Sequence, residues 1–299
     1  MPSFMDRASP IRIHLALFTV AVLFTANYII SKLGMRELAP LSFAWLRVAG
    51  AALLMMVIAR HEPRLSREDS WRVAGFAVLG VTINATLFLV GLSMTTVQVA
   101  AILITTIPVF VLATAIALGR ERPTATRIGG IILACAGALL VVGGESLSGT
   151  ARSVLGAVLI VINCLSFSVY LVVSKPAMAR LSAKAVVARM FAVGSLLIFP
   201  VAAVPLAREN WASISLGAWM ALLTVILGPT VAAYLLNAWA LRHADSSVVA
   251  AYTYVQPVLA TILGAIIFGE EIRPIVVVAA LMIFAGVALA GRATGPVPE

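Results

Sequence analysis

The sequence predicts an all-α integral membrane protein, with ten transmembrane helices arranged as two inverted five-helix repeats. Three observations lead there: an extreme apolar excess, ten apolar runs of spanning length, and a second half that repeats the first. Hydrophobic residues make up 62% of the 299 and charged residues 11%, with a mean hydropathy of +1.08. Soluble domains carry roughly 25% charged residues. A water-soluble core cannot hide this much apolar surface, so lipid is the solvent for much of the chain.

A spanning helix needs about 20 mainly apolar residues. Cutting the chain at clusters of charge, proline and glycine leaves runs at 12–31, 40–59, 72–92, 96–118, 127–143, 154–174, 185–204, 217–240, 247–268 and 274–291. The first follows basic residues and has no small-residue cleavage site, so it reads as a retained anchor; it carries Asn27 and Tyr28 and ends at Ser31–Lys32. The second carries Arg47, and the third a break at Gly80 beside Thr82, Asn84 and Thr86. In the fourth, Thr105 and Thr106 precede Pro108, and Glu121 marks the exit from the bilayer. The fifth, GGIILACAGALLVVGG, is rich in small residues, as close helix packing or a dimer contact requires.

The sixth run holds Asn163, Ser166 and Tyr170 before Ser174–Lys175, and the seventh holds Arg189. The eighth breaks at Gly228–Pro229 and then carries Tyr234, Asn237 and Trp239. The ninth opens with Tyr252, Thr253, Tyr254, Gln256 and Pro257 and closes at Glu270; the tenth contains Gly286. Connectors are short and leave no room for a soluble domain. Lipid forbids unpaired backbone polar groups, so the spans are helices. A β-barrel needs alternating strands, and runs such as GAALLMMVIA do not alternate.

The net charge of +9 is a topology signal rather than a nucleic-acid footprint. With a cytoplasmic N-terminus, fourteen of the 21 basic residues fall on inside segments, among them Arg60, Arg120, Lys175 and Arg180. Five fall outside (Lys32, Arg36, Arg152, Arg208 and Arg273), and Arg47 and Arg189 lie within spans. This bias puts both termini in the cytoplasm.

Sliding the chain against itself by 149 residues aligns Pro108 with Pro257, Glu121 with Glu270 and Gly137 with Gly286; Ala100–Ala101 answers Ala250–Ala251 nearby. Shifts of 142 to 148 align Ser31–Lys32 with Ser174–Lys175, Arg47 with Arg189, and Gly80 and Thr82 with Gly228 and Thr230. The ordered series marks an internal repeat, divided as 1–147 and 148–299. Five spans per repeat is an odd number, so the second half enters the membrane from the opposite side. Inverted repeats of this kind build secondary transporters, with the solute site at the repeat interface near the midplane. Pro108 and Pro257 each remove a helix hydrogen bond, so spans four and nine are expected to bend there. Gly80, Gly228 and Pro229 are expected as hinge positions in spans three and eight.

No Asp or Glu lies within a span, which weakens a carboxylate proton relay or an acidic cation site. Neutral groups occupy the spans instead: Asn27, Tyr28, Asn84, Asn163, Tyr170, Tyr234, Asn237, Trp239, Tyr252 and Gln256 are the candidate substrate-binding residues. Amides and phenols can hold a zwitterion's ammonium and carboxylate, and aromatic faces can pack an apolar side chain. Tyr252 and Gln256 are one helical turn apart, on one face. Each residue also has a plainer role, since Asn and Thr bridge helices and Tyr and Trp form interfacial belts. Arg47 and Arg189 are expected to snorkel or to bond helix-end carbonyls. Cys135 and Cys164 pack in spans, without metal or disulfide spacing; His14, His61 and His243 sit near span ends. No GxxxxGK[ST], HExxH or GxSxG motif is present, so no cofactor, metal or enzymatic centre is expected.

The ten spans, the duplication and the pattern Pro108…Arg120–Glu121…Gly130…Gly137, repeated as Pro257…Gly269–Glu270…Gly286, resemble the EamA-type exporters of the drug/metabolite transporter superfamily. Arg47 in WLRVAGAALL is similar to an arginine common in that family's second helix. The resemblance covers residues 11–291, with Arg120 in place of a Gly and Ala279 where the first half has Gly130. Within the superfamily the chain is most similar to YddG-type amino-acid exporters. The resemblance implies a bacterial inner-membrane protein, monomer or homodimer, that exports small neutral amino acids, aromatic or apolar, by alternating access. Efflux of neutral or amphipathic drugs is the alternative.

Overall fold

The computed structural model describes residues 10–148, 150–243 and 252–292. The expected start of span nine at 247–251, with Ala250–Ala251, lies outside the described residues, as do the side chains of Asn237, Arg242, His243 and Thr253. Ten helical spans follow in order: α1 Pro10–Gly34, α2 Pro40–Ile58, α3 Arg67–Met94, α4 Val97–Ala117, α5 Ala125–Ser148, α6 Ala151–Arg180, α7 Ala183–Arg208, α8 216–243, α9 252–268 and α10 Pro274–Arg292. Among the described residues nine are long and apolar enough to cross a membrane, and Val255–Phe268 is a shorter apolar helix. α3, α6 and α7 overrun their apolar runs, because capped polar turns extend them. At α3, Ser66 accepts from Asp69 N–H at 3.1 Å, so the helix starts in polar sequence.

The packing maps onto itself when the halves are exchanged. α1 packs on α8 and α9, and α6 packs on α3 and α4; α2 pairs with α7, α4 with α9, and α5 with α10. The small residues of α5 serve this last contact, within one chain. A Cβ at Gly130 would lie 2.5 Å from the Gly286 carbonyl oxygen, and one at Gly137 would lie 2.9 Å from that of Ala279. Backbones this close exclude any side chain, the usual device of helix pairs in lipid.

Spans three and eight do not break at their glycines. They continue through matched π-helical segments, Val78–Ile83 and Ile226–Ala232. Each segment sends a side chain into a glycine notch of the opposite half. Ile226 enters at Gly50 of α2, and Val81 enters at Gly194 of α7, where a Cβ would meet it at 2.6 and 2.4 Å.

The prolines of spans four and nine act differently from expectation. α4 is interrupted at Thr105–Thr106, and Pro108 stands in the first turn of its second segment, Ile107–Ala117. In the described part of α9 a 3₁₀ turn at Tyr252–Tyr254 precedes Val255–Phe268, and Pro257 stands in the first turn of that helix. A missing N–H has no partner to lose in a first turn, so each proline starts a segment rather than bending a continuous helix. The hydroxyls of Thr105 and Thr106 donate to the Ile102 and Leu103 carbonyls at 2.6 and 2.7 Å, satisfying the interrupted ladder.

Arg120, where a glycine was expected, is explained by a one-residue shift. Gly119 takes the left-handed conformation (φ 67°) at the end of α4 that Gly269 (φ 65°) takes at the end of α9. Only a residue without Cβ adopts it without strain.

Candidate functional site

The polar side chains gather where the halves meet. Tyr28 of α1 is buried and donates to Gln256 Oε1 of α9 at 3.1 Å, with its ring edge-on to Phe88 at 5.6 Å. One helical turn along α1, Asn27 accepts from Ser31 at 3.1 Å. In α6, Asn163 Nδ2 donates to the Asn84 carbonyl at 2.8 Å, and Ser166 donates to the Leu79 carbonyl at 3.0 Å. These hydroxyl and amide donors take up one carbonyl within the π segment of α3 and one just after it. Tyr170 lies against the same segment: a Cβ at Gly80 would stand 2.8 Å from its ring. Phe167 and Phe76 complete that wall, at 5.5 and 6.5 Å from Tyr170.

Tyr234 of α8 faces Phe191 at 5.6 Å and Phe24 at 6.4 Å, both edge-on. Phe24 comes from the first repeat and Phe191 from the second, so aromatic groups of the two halves meet at Tyr234. Thr82, Thr86 and Asn163 Oδ1 are sealed from solvent and have no hydrogen-bond partner among the described residues. Unpaired buried polar atoms are costly, and these line the α3–α6 side of the interface.

The candidate residues therefore divide. Tyr28 and Gln256 meet across the interface with Asn27 adjoining, Asn163 and Tyr170 pack at the α3 π segment and the Asn84 carbonyl, and Tyr234 lies against Phe24 and Phe191. Tyr252 is set apart: its hydroxyl lies 2.8 Å from His14 Nδ1, fourteen residues before Tyr28 on α1, or about 21 Å along the helix. The 3₁₀ turn advances 120° per residue, so Tyr252 and Gln256 lose the shared face that an α-helix gives them. Trp239 lies in α8, half-buried and partnered. Asn237 is in the same helix, its side chain outside the described set.

Of the two intramembrane arginines, Arg189 is exposed and Arg47 departs from expectation. Arg47, only 8% exposed, neither snorkels nor bonds a carbonyl; its Nε donates to the Thr230 hydroxyl at 2.8 Å. Thr230 in turn donates to the Val225 carbonyl at 2.8 Å. The α-helical donor position for that carbonyl is Pro229, which has no N–H, so the ladder passes to the π spacing there.

At one mouth, Lys32 Nζ meets Glu270 Oε1 at 2.9 Å and the Thr95 carbonyl at 2.9 Å. Glu270 also accepts from the first two amides of α4, Val97 at 2.8 Å and Gln98 at 3.1 Å. The cluster joins α1, α9 and α4, and the carboxylate lies where the α4 dipole favours it. Its repeat-related partners behave differently: Glu121 pairs with Arg127 at 3.1 Å, and Lys175 is exposed. The sequence held a signal for this latch, since Lys32 and Glu270 fall on the same side in the ten-span topology.

The comparisons agree with this architecture. The EamA-like transporter family matches residues 11–143 and again 154–292. An uncharacterized transporter of Archaeoglobus fulgidus is 27% identical over 280 residues, covering 92% of this chain and 96% of its own length. The uncharacterized inner membrane transporter YedA of Escherichia coli (strain K12) is 25% identical over 271 residues, covering 87% of this chain and 84% of its own. A protein of known crystal structure shares the fold with a TM-score of 0.64 at 17% identity, over 95% of this chain and 98% of its own. With two family matches that together span most of its length, the chain belongs to the EamA-like transporter family and is a multi-pass membrane transporter.

Proposed function

We propose that the protein is a secondary transporter that exports small neutral amino acids, aromatic or apolar, and related metabolites by alternating access. The repeats 1–147 and 148–299 rock about a site at their interface, in a bacterial inner membrane with both termini cytoplasmic. The observation that carries this reading is the Tyr28–Gln256 bond, which joins α1 of one repeat to α9 of the other at the proline end of α9. Around it stand neutral amides, hydroxyls and aromatic rings, and no span holds a carboxylate at mid-depth. Such a lining suits a zwitterion with an apolar side chain. Amino acids and the outward direction rest on the resemblance alone.

The Lys32–Glu270 latch supports a state closed on the side of the α1–α2 loop, which the charge bias assigns to the outside. Glu121 pairs within its own repeat and Lys175 is exposed, which fits an opposite mouth left unlatched in that state. The π segments around Gly80 and Gly228–Pro229 and the segment starts at Pro108 and Pro257 serve as hinges in this scheme.

The test is a competition panel in proteoliposomes, with labelled phenylalanine as the tracer and amino acids, nucleosides, sugars and dyes as competitors. Inhibition confined to apolar and aromatic amino acids is expected. Uptake of dyes with no response to any amino acid would replace this reading with drug efflux.

A further inference from the structure

A charged guanidinium that is 92% buried, by its 8% exposure, needs a counter-ion or a full set of acceptors. Arg47 has neither among the described residues. It takes part in no ion pair, and Thr230 is its one hydrogen-bond partner. Guanidinium carries five N–H donors, of which one belongs to Nε. The four on the terminal nitrogens are unused, and neither nitrogen is among the polar atoms sealed from solvent.

The side chain is also held in place. The Thr230 hydroxyl donates to the Val225 carbonyl and accepts from Arg47 Nε. Nε is thereby fixed, and the terminal nitrogens are left for another partner. Tyr234 stands one turn beyond Thr230, against Phe24 and Phe191. The repeat-related position has no such charge: Thr82 matches Thr230 but has no partner, and Arg189 is exposed. Among the described residues of the interface, Arg47 is the buried cation without a counter-ion, on the side of the second repeat's π segment.

We propose that Arg47 binds the carboxylate of the transported solute through two parallel hydrogen bonds, and that the carboxylate, rather than the amine, is what the site selects. This rests on the transport reading above and names its substrate class as small apolar carboxylates, amino acids among them. A carboxylate matches the fork in geometry and neutralises its charge. The amine of an amino acid meets only neutral acceptors and contributes less.

The test pairs acids with their amides. Purified protein is titrated with phenylalanine, 3-phenylpropionate, phenylalaninamide and phenethylamine, following the melting temperature, and the same compounds compete with labelled phenylalanine in proteoliposomes. Both acids are expected to bind, with the amide and amine roughly ten- to hundredfold weaker, the loss that removing a charge-assisted bond brings. Arg47→Gln should abolish the preference between acid and amide, which a purely structural role would leave intact; Arg47→Lys should retain part of it. Equal binding of acid and amide by the unmodified protein would overturn the proposal, whether or not any variant folds. Stabilisation by the acids alone, without phenylalanine flux, would keep Arg47 as the anchor and refute the amino-acid reading instead.

Discussion

Lys32 Nζ lies 2.9 Å from Glu270 Oε1, and the same carboxylate receives the Val97 and Gln98 amides. One side chain thus ties three helices from both repeats. Glu270→Gln keeps the shape but removes the charge from all these bonds. Gln98 is 4% exposed behind the latch. In a protein lacking Cys135 and Cys164, a cysteine at position 98 is expected to react roughly tenfold faster with an impermeant maleimide once Glu270 is Gln, since charge-assisted bonds are worth about 1.5–3 kcal/mol. An unchanged labelling rate would mean that the ion pair does not hold the mouth shut.

The α5–α10 seam gives a prediction with its own control. Gly130→Ala forces a Cβ to 2.5 Å from the Gly286 carbonyl, a backbone atom that cannot step aside. Overpacking of this kind costs about 1–3 kcal/mol, so a fall in melting temperature in detergent is expected. Gly129→Ala meets nothing nearer than Leu289 at 3.9 Å and should melt like the parent. Equal melting of the two would show that the seam is looser than its geometry.

Glu37, in the α1–α2 loop, accepts from the backbone N–H and the hydroxyl of Ser215, both at 2.7 Å. Ser215 caps α8 by accepting from Ala218 N–H at 3.2 Å. The backbone bond first, then the hydroxyl bond, holds the Glu37 pKa below that of a free glutamate. A depressed folded-state pKa contributes stability that is present above the unfolded value and lost as pH falls through the folded one. The melting-temperature advantage over Glu37→Gln should therefore be present at neutral pH and disappear in acid. A gap that persists in acid would assign the effect to something other than the charge.

Tyr28→Phe removes one hydroxyl and leaves the Gln256 amide without that donor. Labelled phenylalanine should enter proteoliposomes more slowly while the variant melts within a few degrees of the parent. Normal flux in both Tyr28→Phe and Gln256→Ala would move the site to other spans.

How far the sequence could be read depends on what each feature requires. Apolar length alone locates the spans, because lipid imposes it on every helix. Gly80 and Gly228–Pro229 were legible as matched irregularities, but their form was not. Whether a helix breaks or widens into a π turn depends on donors such as Ser166, brought in from another helix. Gly119 escaped notice because the cap moved by one residue, which a fixed offset hides. Arg47 was misread because its direction is set by Thr230, 183 residues away, whose hydroxyl is itself held by the Val225 carbonyl. The contacts of Tyr28 with Gln256 and of Asn163 with the Asn84 carbonyl follow from exchange-symmetric packing. The separation of Tyr252 follows from a 3₁₀ turn that composition does not announce.

The central claim is that solute crosses by alternate opening of the mouths at the repeat interface. Its most direct test is reversible closure of the Lys32–Glu270 mouth: Lys32→Cys and Glu270→Cys in a protein lacking Cys135 and Cys164, bridged by a short, reducible bis-thiol crosslinker. Flux of labelled phenylalanine into proteoliposomes is measured bridged, reduced, and in each single-cysteine control. Alternating access predicts that the bridge abolishes flux and that reduction restores it. Full flux through the bridged protein would contradict the account.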